Sequence, residues 1–104
     1  MDLRTLAEKI VGEKIMGMVD YFRHPELRNS WGGPFNGQTF RQQIFRELIQ
    51  KISFSVIAET GTFRDTTTEY LYESSQLPVY TAELHPGYYG YVKARFFMHK
   101  SIVV

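Results

Sequence analysis

The order of short β-branched segments and helical segments constrains the fold of this chain more than any other feature of its sequence. ISFSVIAE, residues 52–59, is short and becomes almost wholly apolar, which is typical of a strand covered on both faces of a sheet. LPVYTAEL, residues 77–84, predicts a second strand, and SIVV, residues 101–104, predicts the first half of a third. The segments between them, 66–76 and 85–100, predict helices, the second with Pro86 near its first turn. The alternation predicts right-handed crossovers and a parallel sheet with helices on its faces.

The N-terminal half has a helical pattern instead. Apolar residues recur every three to five positions over 3–22, which predicts an amphipathic helix, and the Pro- and Gly-rich stretch after it predicts a loop. A second helix is expected over 39–51 with Thr39 as its cap, and Thr66 followed by Glu69 predicts a capping box. The predicted fold class is therefore α/β in one partial domain, 1–104: N-terminal helices in 1–51, then β-α-β-α-β in 52–104.

Composition excludes several classes of protein. The 104 residues carry 12 Lys and Arg against 11 Asp and Glu, and the basic residues are scattered, which argues against a nucleic-acid or membrane surface as partner. There is no cysteine, so disulfides and thiolate chemistry are excluded. The N-terminal segment carries charges among its apolar residues, unlike a signal peptide or a membrane span, so a cytoplasmic, soluble chain is expected. Widely spaced His24, His85 and His99 predict no metal site.

The turn after the first predicted strand is the strongest candidate for a binding site. In doubly wound sheets ligands bind beyond the carboxyl ends of the strands. Gly61 permits a close backbone approach there, and the following helix offers free N–H groups to an anionic group. Glu83 ends the second strand 22 residues after Gly61, where a carboxylate can accept the two hydroxyls of a ribose. These features predict a nucleoside-containing cofactor.

Two nucleotide motifs are missing from that turn. GTFRDT offers one of the three glycines of a dinucleotide fingerprint, with Phe63 and Asp65 in the other places. No lysine follows in the position that a P-loop requires. A different nucleotide-binding domain is therefore disfavoured.

Three segments together carry a resemblance to a known family. PFNGQTFRQQIF, ETGTFRDTTTEYL and LPVYTAELHPGYYGYVKARF occur in that order within residues 34–97. An acidic residue that ends a strand before a glycine turn resembles the first motif of class I S-adenosylmethionine-dependent methyltransferases. The three segments resemble a group of small bacterial methyltransferase-like proteins. The resemblance implies a half Rossmann-like, methyltransferase-type sheet and S-adenosylmethionine as the cofactor.

The resemblance also implies a role for individual residues. Glu59 would hold the ammonium of the methionine part, Glu83 the ribose hydroxyls, and Leu84 would pack near the adenine. Asn36 and Gln38 would close over the site from the N-terminal segment. The implied cofactor-binding set is Asn36, Gln38, Glu59, Thr60, Gly61, Thr62, Glu83 and Leu84.

Asp65 departs from the family pattern, which has glycine at this position. One interpretation is that Asp65 or Thr66 caps the following helix, which stabilises a helix by about 1 kcal/mol. The other is that the Asp65 carboxylate repels the carboxylate of the cofactor and weakens its binding. Both effects are compatible, and weakened binding is the expectation that we carry forward.

The sequence also bears on completeness and catalysis. As a strand, SIVV would be a short edge of a three-stranded parallel sheet, so we expect the front half of a larger domain, or a partner subunit that completes the sheet. The alternative is that SIVV is not a strand and only closes off a small fold. No residue is nominated as a catalytic base, and the chain is expected to be inactive alone. The alternative is a non-catalytic interaction or oligomerisation module on a degenerate Rossmann-like scaffold.

Overall fold

The protein is a mixed α/β structure with a small three-stranded parallel sheet, consistent with a partial Rossmann-like arrangement. The computed structural model describes residues 2–61 and 66–104. The helices are α1 (Leu3–Arg23), α2 (Thr39–Lys51), α3 (Thr66–Ser75) and α4 (Pro86–Arg95), and the strands are β1 (Ile57–Thr60), β2 (Val79–Ala82) and β3 (Ile102–Val103). Two 3-10 segments, Pro25–Gly32 and Pro34–Gly37, replace the loop expected between α1 and α2.

The sheet has the order β1-β2-β3, with parallel pairing throughout. The strand expected over 52–59 begins only at Ile57, because its partner β2 begins at Val79. The first hydrogen bond between the two strands runs from the Ile57 N–H to the Pro78 carbonyl at 2.9 Å. β2 is likewise shorter than the expected 77–84, and β3 pairs through two residues of the expected 101–104. The predicted strand order along the chain is confirmed.

Helix ends also differ from expectation. α2 is capped at Gln38 without a side-chain hydrogen bond, so the prediction of Thr39 as the cap is wrong, and Thr39 is the first helical residue. α4 ends at Arg95 rather than residue 100, because Phe96 leaves helical geometry with φ −106° and ψ 19°. The side chains of the predicted capping box make other hydrogen bonds. The Thr66 hydroxyl donates to the Arg28 carbonyl at 2.9 Å, and the Glu69 carboxylate accepts from Arg95.

One face of the sheet is buried and the other is exposed. Buried and exposed residues alternate along β2, with Val79 and Thr81 covered and Tyr80 and Ala82 open. The core on the covered face contains Leu71, Val79, Tyr91, Val92, Phe96 and Ile102. On β1 the pattern is half-buried and exposed in alternation, so the prediction that this strand is covered on both faces is wrong. The open face continues across the central strand β2 at Tyr80 and Ala82, so it reflects the lack of a covering helix among the described residues and not the position of β1 in the sheet.

α1 and α4 cross in backbone contact. Gly17 of α1 lies against Gly87 and Tyr91, and Gly90 of α4 lies against the backbone of Lys14, so that a Cβ on either glycine would collide with main-chain atoms. Next to this crossing the Tyr21 ring meets the buried Tyr91 ring edge-on, with centroids 5.5 Å apart. α1 is thereby attached to the sheet through α4. Within the described residues, no helix is both long and apolar enough to cross a membrane.

Arg95 links three segments on the covered side. Its guanidinium donates from Nη1 to the Arg28 carbonyl at 2.8 Å and from Nε to Glu69 at 3.2 Å, and its side chain is 8% exposed. These bonds connect the end of α4 to the first 3-10 segment and to α3. They hold the N-terminal turn of α3 in place beside the candidate site.

We expect Arg95→Leu to lower the free energy of unfolding by about 2 kcal/mol, since hydrogen bonds to charged groups contribute about 1.5–3 kcal/mol each and Glu69 stays partly hydrated. Urea denaturation followed by circular dichroism measures this. Arg4→Leu is the matched control, because the Arg4–Glu8 pair of α1 is exposed and its loss is expected to cost less than about 1 kcal/mol. Equal effects of the two substitutions would contradict a structural role for Arg95.

Candidate functional site

The carboxyl ends of β1 and β2 bring the predicted turn and the predicted ribose-binding carboxylate together. Thr60 pairs with Ala82, and the Gly61 N–H donates to the Ala82 carbonyl at 3.0 Å. Glu83 directly follows Ala82, so Gly61 and Glu83 are neighbours at this edge. Gly61 has φ +71°, a left-handed conformation that glycine adopts without strain. No described atom lies within 4 Å of the position that a Cβ on Gly61 would occupy.

Glu59 lies in the middle of the site as a half-buried residue. It pairs with Thr81 across the sheet and accepts a hydrogen bond from the Thr81 hydroxyl at 3.2 Å. The Thr68 hydroxyl of α3 donates to the same carboxyl oxygen. Burial raises the pKa of Glu59 from 4.5 to about 7, and the Thr81 hydrogen bond opposes that rise. Glu59 therefore titrates near neutral pH.

This placement decides what Glu59 can do chemically. An ionised carboxylate that has lost part of its hydration is stabilised by an incoming cation, and the interaction is stronger there than in bulk water. Two threonine hydroxyls fix one carboxyl oxygen, Oε1. A ligand with an ammonium group would supply the missing positive charge.

Glu83 lies at the start of the turn that leads into α4. Its Oε1 accepts a hydrogen bond from the His85 backbone N–H at 3.1 Å, and the residue is half-buried. His85 caps α4: its Nδ1 accepts from the Gly87 and Tyr88 N–H groups at 3.1 and 3.4 Å. Leu84, between them, is fully exposed. The turn thus presents one carboxylate and one open apolar side chain at the edge of the sheet.

The Asn36 and Gln38 segment lies against α3. The Phe35 N–H donates to the Thr67 hydroxyl at 2.8 Å, which ties the 3-10 turn Pro34–Gly37 to the first turn of α3. Phe35 and Asn36 both have positive φ, 52° and 56°, so the backbone of this turn is strained. Asn36 and Gln38 are exposed. The structure therefore places the turn that carries Asn36 against the N-terminal end of α3, with Gln38 directly after it.

Some predicted site residues lie outside the described residues, and two residues of the observed site were not predicted. Thr62 and Asp65 lie outside the described residues, while Thr60 is described and exposed. Thr68 and Thr81 were not predicted as site residues. Thr81 could have been found from its two-residue spacing from Val79, which places it on the buried face with a polar group that needs a partner.

A cleft of about 510 Å³ opens next to the site, between α1 and α4. Met16 of α1, the N-cap residue His85 and Tyr88 of α4 are among the residues that line it. None of the predicted cofactor-binding residues that the structure describes belongs to its lining, so the cleft is separate from the site at the carboxyl ends of β1 and β2. Within residues 2–61 and 66–104, no three carboxylate or imidazole side chains are grouped as metal ligands would be.

The chain was compared with known proteins in three ways. No family model matches it, no curated protein matches it, and no solved structure matches it.

Proposed function

We propose that this chain is the S-adenosylmethionine-binding half of a class I methyltransferase-like protein. The observation that carries the proposal is the edge of the parallel sheet where Gly61, in left-handed conformation, is hydrogen-bonded beside Glu83. Ligands of open α/β sheets bind at such carboxyl ends. The resemblance of the three sequence segments supplies the identity of the ligand.

Each residue of the predicted cofactor-binding set has a role in this proposal. Glu59, held by Thr68 and Thr81, receives the ammonium of the methionine part. Gly61, with Thr60 and Thr62, lets the backbone approach that part closely. Glu83 accepts the ribose hydroxyls, Leu84 covers the adenine, and Asn36 and Gln38 close the site from the side of α3. The bound cofactor would supply a methyl group on a sulfonium centre.

The chain is proposed to bind the cofactor without transferring its methyl group unaided. Methyl transfer depends mainly on orienting a nucleophile towards the sulfonium. The exposed side chains of Ala58, Thr60 and Ala82 form an open wall on one side of the site, so nothing described there would position an acceptor. A complementary segment or subunit is proposed to supply that wall.

The second candidate function is a non-catalytic interaction module on the same scaffold. It is favoured by one observation, the uncharged open face of the sheet, where Ala58, Tyr80 and Val103 are exposed in register across all three strands. Parallel sheets are normally covered on both faces. In this candidate the face and the free edge of β1 bind a partner, and the Gly61 turn binds no cofactor.

Calorimetric titration with S-adenosylhomocysteine at pH 8 separates the two candidates. We expect binding by the natural chain and a loss of about tenfold or more in affinity for Glu83→Gln, since hydrogen bonds to a charged group are at stake. Glu73→Gln, an exposed carboxylate on α3, is the matched control and is expected to leave affinity unchanged. The absence of heat from all three proteins would favour the interaction module.

The same titration tests the departure at Asp65. We expect Asp65→Gly to bind S-adenosylhomocysteine about tenfold more tightly, because removal of one nearby like charge is worth roughly 1 kcal/mol or more in a partly desolvated site. Asp65→Asn is the control, because it removes the charge of the side chain without adding the backbone freedom of glycine. Unchanged or weaker binding by Asp65→Gly would overturn this explanation of the position.

A further inference from the structure

The cleft between α1 and α4 has the size and the walls of a small-molecule site. Its volume of about 510 Å³ lies within the roughly 300–1,000 Å³ that ligand pockets occupy. One wall is a single face of α1, on which the lining residues recur at helical spacing between positions 9 and 20. The other wall is the start of α4, with Tyr88, Tyr91 and the N-cap residue His85. Two helices therefore form its sides, and we call it the α1–α4 cleft.

Gly12 makes the cleft wider than the fold requires. Glycine in the interior of a helix is less favourable than alanine, so it usually has a packing or a functional reason. Gly17, also in the lining, has a packing reason, because a Cβ there would collide with the Gly87 carbonyl. At Gly12 no described atom lies within 4 Å of an added Cβ. The missing side chain of Gly12 therefore adds space to the cleft and is not needed for the crossing of the two helices.

Asp20 brings a negative charge to the cleft that the fold does not neutralise. It is half-buried and lines the cleft from the last turn of α1, which ends at Arg23. The helix dipole disfavours a negative charge in a last turn. Among the residues that the structure describes, none forms an ion pair or a hydrogen bond with the Asp20 carboxylate. A carboxylate that has lost part of its hydration without gaining a partner is destabilised, so a cation in the cleft would stabilise it.

The other ionisable groups in the lining of the cleft are balanced. The Lys9 Nζ lies 4.0 Å from the Glu13 carboxylate, so these two charges oppose each other. His85 Nδ1 accepts hydrogen bonds from the Gly87 and Tyr88 N–H groups. A nitrogen that accepts carries no proton, so this cap assigns the neutral ring with its proton on Nε2. One negative charge, that of Asp20, is left over in the cleft.

Charge and aromatic surface together select the chemistry of the occupant. The rings of His85 and Tyr88 lie side by side in the lining, with centroids 4.7 Å apart and planes tilted by 43°. Faces of aromatic rings attract organic cations, and the attraction increases when the cation is partly desolvated. Asp20 would repel an anion, and a neutral ligand would leave the carboxylate without a partner in a drier site. A small cation with an apolar body satisfies both features.

We propose that the α1–α4 cleft binds a small organic amine in its ammonium form. The ammonium pairs with Asp20, and the carbon skeleton lies against Met16 and the Tyr88 ring. The cleft is separate from the edge of the sheet at Gly61 and Glu83, so this proposal does not rest on the proposed function.

Three probes of one size and different charge test the proposal by amide NMR: phenethylamine, phenethyl alcohol and phenylacetate. With phenethylamine at neutral pH we expect the Met16, Gly17 and Gly87 signals of the natural chain to shift and saturate, with a Kd of about 1 mM, as for a ligand of few atoms. The alcohol is expected to bind about tenfold more weakly, and phenylacetate to cause no shift. Equal binding of amine and alcohol, or no saturation with phenethylamine up to about 10 mM, would overturn the proposal.

Asp20→Asn removes the charge and keeps the shape of the side chain. The fold is expected to tolerate it, because the helix dipole disfavours the natural carboxylate at this position. We expect the affinity for phenethylamine to fall about tenfold or more. Glu47→Gln, an exposed carboxylate on α2, is the matched control and is expected to bind as the natural chain does. Natural affinity in Asp20→Asn would contradict an ammonium at this carboxylate.

Met16→Lys supplies the cation from the chain itself. Positions 16 and 20 are neighbours on one face of α1, so the new ammonium can pair with Asp20 and occupy the cleft. Met16 is 59% exposed, so the fold is expected to be kept, and binding of phenethylamine is expected to be lost. Met18→Lys makes the same change at a position outside the lining and is expected to keep natural affinity. Natural affinity in Met16→Lys, or an equal loss in both variants, would contradict the proposed site.

Discussion

Gly17→Ala is expected to destabilise the protein by about 3 kcal/mol or more, the upper range for an overpacked core position. The added Cβ would lie 2.8 Å from the Tyr91 nitrogen and on the Gly87 carbonyl, and both are backbone atoms that cannot rotate away. α1 and α4 must then separate, which also opens the edge-on contact between Tyr21 and Tyr91. Thermal denaturation should show a fall in melting temperature of more than about 10 °C.

Gly12→Ala, five residues away on the same helix, is the control for Gly17→Ala. It makes the same chemical change at a position with no atom within 4 Å, so an unchanged or higher melting temperature is expected. If both variants lost the same stability, the loss would come from α1 itself and not from its crossing with α4. A small effect of Gly17→Ala would show that the two helices are not in backbone contact.

Glu59 is expected to make the free energy of unfolding fall as pH rises towards and through 7. Its pKa is about 7 in the folded protein against 4.5 without burial, so the folded state retains a proton that the unfolded state has released. The stabilisation is complete below about pH 4.5 and is lost as pH rises through about 7. It amounts to at most about 3.5 kcal/mol, since each pKa unit corresponds to about 1.4 kcal/mol.

Glu59→Gln isolates this contribution, because the amide keeps the size of the side chain and does not titrate. We expect urea denaturation of the natural chain between pH 5 and 8 to show a steeper decline of stability than the variant. Glu73→Gln, an exposed carboxylate on α3, is expected to follow the natural chain. Parallel profiles for the natural chain and Glu59→Gln would contradict a buried, proton-holding carboxyl at this position.

The order of elements was predictable from the sequence because it depends on local periodicity. The change from the helical spacing of residues 3–22 to the short apolar run at Val56–Ala58 marks where helices end and the sheet begins. The lengths of the strands were not predictable, because they depend on pairing. β1 begins at Ile57 because its ladder starts at Pro78, a partner 21 positions later in the sequence.

The part of the candidate site that depends on spacing along the chain was predicted, and the part that depends on packing was not. Gly61 and Glu83 were found from spacing, and the parallel register does place them side by side. Thr68, which holds Glu59 from α3, was not predictable, since its position depends on which face of α3 packs on the sheet. Thr81 was missed although its spacing from Val79 places it on the buried face. The open face of the sheet was also missed, because an apolar strand looks the same in sequence whether or not a helix covers its second face.

An amide NMR titration of the isolated chain with S-adenosylhomocysteine, at pH 8 where Glu59 is ionised, tests the central claim most directly. The proposed function predicts a dispersed spectrum in which the signals of Glu59, Gly61 and Glu83 shift and saturate together, while those of α2 stay in place. A dispersed spectrum in which these three signals do not move would contradict a cofactor site at this edge of the sheet.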